Sequence, residues 1–285
     1  MRRAGWLLVV ALLIGACRGG DAHVGVQRTD RGAVPSELLV AAASDLRPAF
    51  EELATRFAAA TGTEVSFDFG SSGQLAQRLI EGAPFDLYAS ANVAFVEQVL
   101  AEGVGDAATR RTYAFGRIVI WAPQDRWTGW EQLEDVASDE TIVNVAIANP
   151  EHAPYGVAAE EALRVTGTWE AVQNRLVFGE NISDTQRLVE TGNADVGILA
   201  LSLALAADER GIGTWVLVDD GLHAPLQQEL VVTAVDAEQA ASAEAFADLV
   251  ASEEGREVMR RSGFLLPGDD EVTADEVGAG GGGGA

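Results

Sequence analysis

Four short stretches of this sequence hold the residues that could do chemistry. Gly70-Ser71-Ser72-Gly73 ends the alternating run Val65, Phe67, Phe69 and opens a segment that sets Leu75, Leu79 and Ile80 on one helical face. Ser44-Asp45 stands in the same position after the apolar run 38–43 and ahead of Leu46, Phe50, Leu53 and Phe57. Pro154-Tyr155-Gly156 and Asn181-Ile182-Ser183 repeat the arrangement further on. The first turn of a helix carries N–H groups without intrahelical partners, and the helix dipole adds about half a positive charge there. Serine hydroxyls add donors that carry no net charge, so such a terminus can hold an anion without a cation. For either serine alone, an ordinary N-cap worth about 1 kcal/mol is the plainer reading. The set of four changes the weight, because ligands of open α/β sheets lie beyond the carboxyl ends of strands, where helix N-termini converge. A cleft with two such termini on each wall would enclose a small tetrahedral oxyanion.

Other candidate chemistry is sparse. His23, His152 and His223 show no metal-ligand spacing, and Gly70-Ser71-Ser72-Gly73 lacks the spacing of a hydrolase GxSxG elbow. A secreted hydrolase using Ser72 with Asp86 and a histidine is the catalytic alternative. A plainer role for Asp86 is a buried acceptor for nearby backbone amides. His152 is read as shaping its loop, and an interaction module without a ligand is a third possibility.

The elements that must position these residues alternate along the chain. Strands are expected over 38–43, 64–69, 85–89, 117–122, 142–147, 176–178, 195–200, 215–218 and 230–235, with helices between most of them and two more after the last. A short irregular link precedes residue 117. The alternation implies an α/β fold with largely parallel sheets.

Length and composition fit one large or two medium cores: 285 residues, 48% hydrophobic and 22% charged. Arg2-Arg3, the apolar stretch from Trp6 to Ile14, and Ile14-Gly15-Ala16-Cys17 read as a signal peptide with a lipobox over 1–17. Cys17, the single cysteine, is then the lipidated N-terminus of an extracytoplasmic protein; the alternative is a plain signal peptide with an incidental cysteine. One cysteine allows no intrachain disulfide. Residues 18–36 read as a flexible tether, and 268–285 as a disordered acidic, then Gly-rich tail. The formal charge is −25, and the 19 basic residues less Arg2 and Arg3 leave 17 against 44 acidic, a balance of −27. Nucleic acid and anionic membrane are poor partners for such a surface, which leaves membrane attachment to the lipid alone. An anion site tolerates it, because charges more than about 8 Å away are screened at physiological salt.

The runs VAAASDLRPAFEELATRF, FDFGSSGQLAQRLIEGAPFDLYASAN, NPEHAPYGVAAEEAL and ENISDTQRLVETGNADVGILAL resemble, in order and spacing, the periplasmic molybdate-binding proteins of ABC transporters. The resemblance covers about 37–267. It implies a two-lobed type II periplasmic-binding-protein fold with two hinge crossovers, lobe one at 37–116 and 223–267 and lobe two at 117–222. It implies a monomeric binding protein, not an enzyme, that needs no cofactor and captures molybdate or tungstate for an ABC permease. Sulfate or phosphate is the alternative ligand. The family's oxyanion contacts then fall on the Ser44 hydroxyl, the Ser72 hydroxyl and amide, and the amides near Asp45, Tyr155 and Ile182, and the metal-bearing oxyanion is held through those hydrogen bonds. This chain departs from some family members at Ala200, where they place a tyrosine, and at Asp45, where others have asparagine. Asp45 at the first helical position is expected to point outward and complement the dipole. Turned inward, a carboxylate would repel a dianion and favour phosphate, which retains a proton near neutral pH.

Overall fold

The computed structural model of the protein describes residues 37–269. The leader with Cys17, the tether and the tail from residue 270 lie outside them. The chain runs β1 (Glu37–Ala43), α1 (Arg47–Thr61), β2 (Glu64–Gly70), α2 (Ser72–Ile80), β3 (Leu87–Ser90), α3 (Val93–Ala101), β4 (Arg111–Gly116) and β5 (Ile118–Ala122). It continues through α4 (Leu133–Ser138), β6 (Val145–Ala148), α5 (Pro154–Val165), α6 (Trp169–Val172), β7 (Leu176–Gly179), α7 (Ile182–Glu190), β8 (Val196–Ala200) and α8 (Leu201–Asp208). It closes with β9 (Thr214–Leu217), β10 (Leu226–Val232), α9 (Ala237–Ala251) and α10 (Glu253–Arg261).

Local chemistry accounts for many of these boundaries. A 3-10 turn at Ser44–Leu46 leads into α1, which has Pro48 in its first turn and ends at Gly62 in the left-handed region, φ 82°. In α10, Ser252 accepts the Gly255 amide, Glu253 and Glu254 occupy the first turn, and Arg260 and Arg261 the last, each charge matched to the dipole.

The strands form two five-stranded sheets, ordered β2-β1-β3-β10-β4 and β7-β6-β8-β5-β9. β1 is parallel to β2 and β3, and β6 to β7 and β8, as the strand-helix alternation requires. The expectation of largely parallel sheets fails on the remaining pairs. β10 runs antiparallel to β3 and β4, and β5 antiparallel to β8 and β9. The cause is the connectivity: the chain passes from β4 straight into β5 through Arg117 and returns from β9 to β10, so the strands that carry it between sheets oppose the βα units. The two crossings and the flanking helices make the two-lobed fold.

β4 occupies what reads in sequence as an irregular link. Its alternation is short, and it is specified by distant partners, pairing with β10 and bridging Phe115 to Leu265. β10 begins at Leu226 and not at 230, because its first half is polar: Gln228 and Glu229 are buried there despite their type. Of the stretch expected to be disordered, Gly268 and Asp269 are described, and Asp269 accepts from both Arg256 and Arg260. Phe50 on α1 lies at the centre of an aromatic cluster, 6.0 Å from Phe67, 6.1 Å from Tyr113 and 5.7 Å from Phe246 between ring centroids. No helix among the described residues is long and apolar enough to cross a membrane.

Candidate functional site

The carboxyl ends of β1, β2, β6 and β7 each run into a helix start, and the two sheets bring these starts face to face. Ser44, Asp45, Ser72, Tyr155 and Ile182 all line one small cavity, together with Gly70 and Ser71. Its volume is about 10 Å³, the space for the centre of about one water molecule. No Lys, Arg or His lines it.

Each helix start is fixed by identifiable bonds. The Ser72 hydroxyl accepts the Ala91 amide at 2.9 Å, which leaves its own hydrogen to donate, and Tyr88 OH donates to the Ser72 carbonyl. Ser44 Oγ donates to Asn181 Oδ1 at 3.1 Å and accepts the Ser183 amide at 3.3 Å. Asn181 Oδ1 also accepts the Asp184 amide, capping α7. Ile182, the first residue of α7, presents an amide with no intrahelical partner, and Tyr155 does so as the second residue of α5. Across the cavity, Ser71 Oγ meets His152 Nδ1 at 2.8 Å and the Gly73 amide donates to the His152 carbonyl at 2.9 Å. His152 therefore ties the loop after β6 to the start of α2, a more specific role than shaping its own loop.

Asp45 does not point outward. It is fully buried, Oδ2 accepts from Gln228 Nε2 at 2.7 Å and from Tyr155 OH at 2.9 Å, and Ser202 Oγ donates to its backbone carbonyl at 2.7 Å. The 3-10 turn turns the residue inward instead of leaving it at the exposed N1 position of a regular helix, and Gln228 and Tyr155 meet it there. Tyr113 OH donates to Gln228 Oε1 at 2.9 Å and orients that amide. Asp45 Oδ1, also buried, has no hydrogen-bond partner among the described residues.

Burial pushes the Asp45 carboxyl up from 3.8 to about 6, against the hydrogen bonds from Gln228 and Tyr155. The fold therefore favours the protonated form. Its contribution to stability is complete below about pH 4 and is lost as pH rises through about 6, a loss of roughly 3 kcal/mol by pH 8. Asp45→Asn should gain on wild type between pH 4 and pH 7.5 in urea-denaturation midpoints. An equal gap at both pH values would show that the buried carboxyl carries no such cost.

The family follows from the sequence over this same span. The profile of the family described as bacterial extracellular solute-binding protein matches residues 38–265. The chain belongs to that family. Among relatives, the molybdate-binding protein ModA of Rhodobacter capsulatus is 32% identical over 235 residues, 82% of this chain and 90% of that protein. The ModA of Azotobacter vinelandii is 30% identical over 231 residues, covering 81% and 90%. The solved structure of the Azotobacter vinelandii periplasmic molybdate-binding protein superposes with a TM-score of 0.74 at 29% identity, over 81% of this chain and 99% of that one.

The relatives of this chain are solute-binding proteins and not enzymes. Asp86 Oδ2 accepts the Leu39 amide at 2.8 Å, the backbone-partner role read for it. Ala200 is buried at the end of β8 and is absent from the cavity lining. Gln228, Tyr113 and Ser202 shape the site without a local signature. The one sequence signal for Gln228 is a pair of glutamines at the head of an apolar strand.

Proposed function

We propose that the protein captures molybdate, and tungstate through the same contacts, and delivers it to an ABC permease. The observation that carries this reading is the lining itself: four separate helix starts converge on one cavity, three serines line it, and no cationic side chain does. Such a shell of neutral donors suits a fully deprotonated tetrahedral oxyanion. The contacts are the hydroxyl of Ser72, the hydroxyl of Ser44 once it turns its hydrogen from Asn181 Oδ1 to the ligand, and the amides of Ser72, Asp45, Tyr155 and Ile182. The names of the relatives supply the choice of molybdate within that class. Lobe one comprises 37–116 and 223–267, lobe two 117–222, and the hinge lies where β4 meets β5 and where β9 leads to β10. A tetrahedral oxyanion is larger than the cavity, so the lobes part about that hinge to admit it and close over it. The protein acts as a monomer, held at the outer face of the membrane by a lipid on Cys17 with 18–36 as tether.

Calorimetric titration with molybdate, tungstate, sulfate and phosphate tests the ligand. Heat from molybdate and tungstate is expected; heat from none of the four would sink the reading. At a hundred times its dissociation constant a ligand adds about 2.7 kcal/mol to stability, a rise of roughly 5–11 °C in melting temperature for a chain of this size. Ser44→Ala combined with Ser72→Ala should remove that rise, and an unchanged rise would place the site elsewhere. One observation favours a second reading: buried Asp45 in the lining suits phosphate, which can donate its remaining proton to the carboxylate.

A further inference from the structure

A shell of donors has no use for a buried acid, yet Asp45 lines the cavity with one carboxyl oxygen unpartnered among the described residues. We propose that Asp45 is the specificity-determining residue of this cleft, and that the oxyanion is bound together with one proton held between the Asp45 carboxyl and a ligand oxygen. The inference rests on the oxyanion reading above.

The surroundings leave the carboxyl no other source of charge balance. From α5 it faces Tyr155 and from β4, through Gln228, Tyr113; burial and the nearby Asp45 push both phenols well above their ordinary value, so both stay neutral. From β10 it faces the uncharged Gln228, while the adjacent Glu229 is paired with Arg110. From α8 only the Ser202 hydroxyl reaches its backbone. Arg47, two residues on, is paired with Glu51 and lies over the Phe69 ring. Arg117, at the crossover, is paired with Asp220, Asp184 of α7 with Arg187, and His152 bonds Ser71. A dianion entering beside an ionised Asp45 would place three negative charges among neutral donors.

One proton from solvent resolves this. It converts unpartnered Oδ1 into an O–H donor toward a ligand oxygen, while Oδ2 keeps its bonds to Tyr155 and Gln228. Burial already holds the carboxyl near pH 6, and a dianion at contact raises it further, so binding above that pH draws a proton from the medium. Molybdate, tungstate and sulfate must all take this proton up. Monohydrogen phosphate brings its own, so its complex forms with no uptake at pH 8. The proton thus sorts ligands that the serine hydroxyls and helix amides treat alike.

The test is proton counting. Titrate the mature protein with molybdate at pH 8 in two buffers of different ionisation enthalpy, and repeat from pH 5.5 to 8.5. The expected result for wild type is an uptake close to one proton and an affinity that falls about tenfold per pH unit above about 6.5. Asp45→Asn should show no uptake, a flat profile, and tighter molybdate binding than wild type at pH 8. Molybdate binding by wild type without proton uptake would overturn this proposal and leave the oxyanion reading intact. Binding of no oxyanion by wild type at pH 5.5, where the carboxyl already holds its proton, would overturn both.

Discussion

Gly116→Ala is expected to abolish the oxyanion-induced rise in melting temperature while leaving a folded protein. Gly116 closes β4, and a Cβ there would stand 2.2 Å from Tyr155 OH and 2.9 Å from Gln228 Nε2. These are the two groups that hold Asp45 Oδ2. Neither can yield freely, because Gln228 is tied to Tyr113 and Tyr155 is buried at the start of α5. The methyl therefore displaces the tyrosine, and with it the α5 terminus whose amide faces the cavity. Overpacking of this kind costs about 1–3 kcal/mol, too little by itself to unfold an ordinary domain. The readouts are far-UV circular dichroism for the fold and the melting shift with molybdate for the site. A wild-type shift in Gly116→Ala would mean that Tyr155 and Gln228 do not shape the ligand pocket.

Phe50→Ala should be the most damaging single change to stability. Phe50 is fully buried on α1, and its ring touches Phe67 of β2, Tyr113 of β4 and Phe246 of α9. Truncating a buried phenylalanine costs about 3–5 kcal/mol through lost transfer energy and the cavity left behind. For a domain of this size that is a drop of roughly 6–20 °C in melting temperature. Calorimetric melting of the variant beside Arg187→Ala, whose side chain is mostly exposed, measures the difference; matching midpoints would refute the role given to this cluster. The loss should reach the site as well, because Tyr113, one of the three rings, orients Gln228. Ligand binding in Phe50→Ala is therefore expected to weaken even at temperatures where the variant is fully folded.

The helix starts at Ser44, Ser72, Tyr155 and Ile182 are short-range events, decided by which residues follow an apolar run, and the structure puts all four on one cavity. α10 is likewise set by short-range chemistry, its Ser252 cap and its terminal charges. Asp86 was legible because an acid beside a buried strand has few partners other than amides. β4 was not, since Arg111–Gly116 is a strand only by virtue of β10, more than a hundred residues later. The antiparallel half of each sheet was hidden for the same reason. Alternation of strand and helix reports local order, whereas strand direction is set by where the chain crosses between sheets.

The sequence by itself determined that uncharged donors would gather at helix N-termini, because an N-cap serine and the amides of a first turn need no distant partner. Only the tertiary structure decided what stands among those donors. Asp45 has the same local surroundings whether it points to solvent or to the cleft, and its direction depends on Tyr155, 110 residues away, and Gln228, 183 residues away. Those contacts exist only once both sheets are assembled and the glycine at the end of β4 leaves room for them. Burial, a property of the whole fold, then turns an ordinary surface-type acid into one poised near pH 6 beside the ligand cavity.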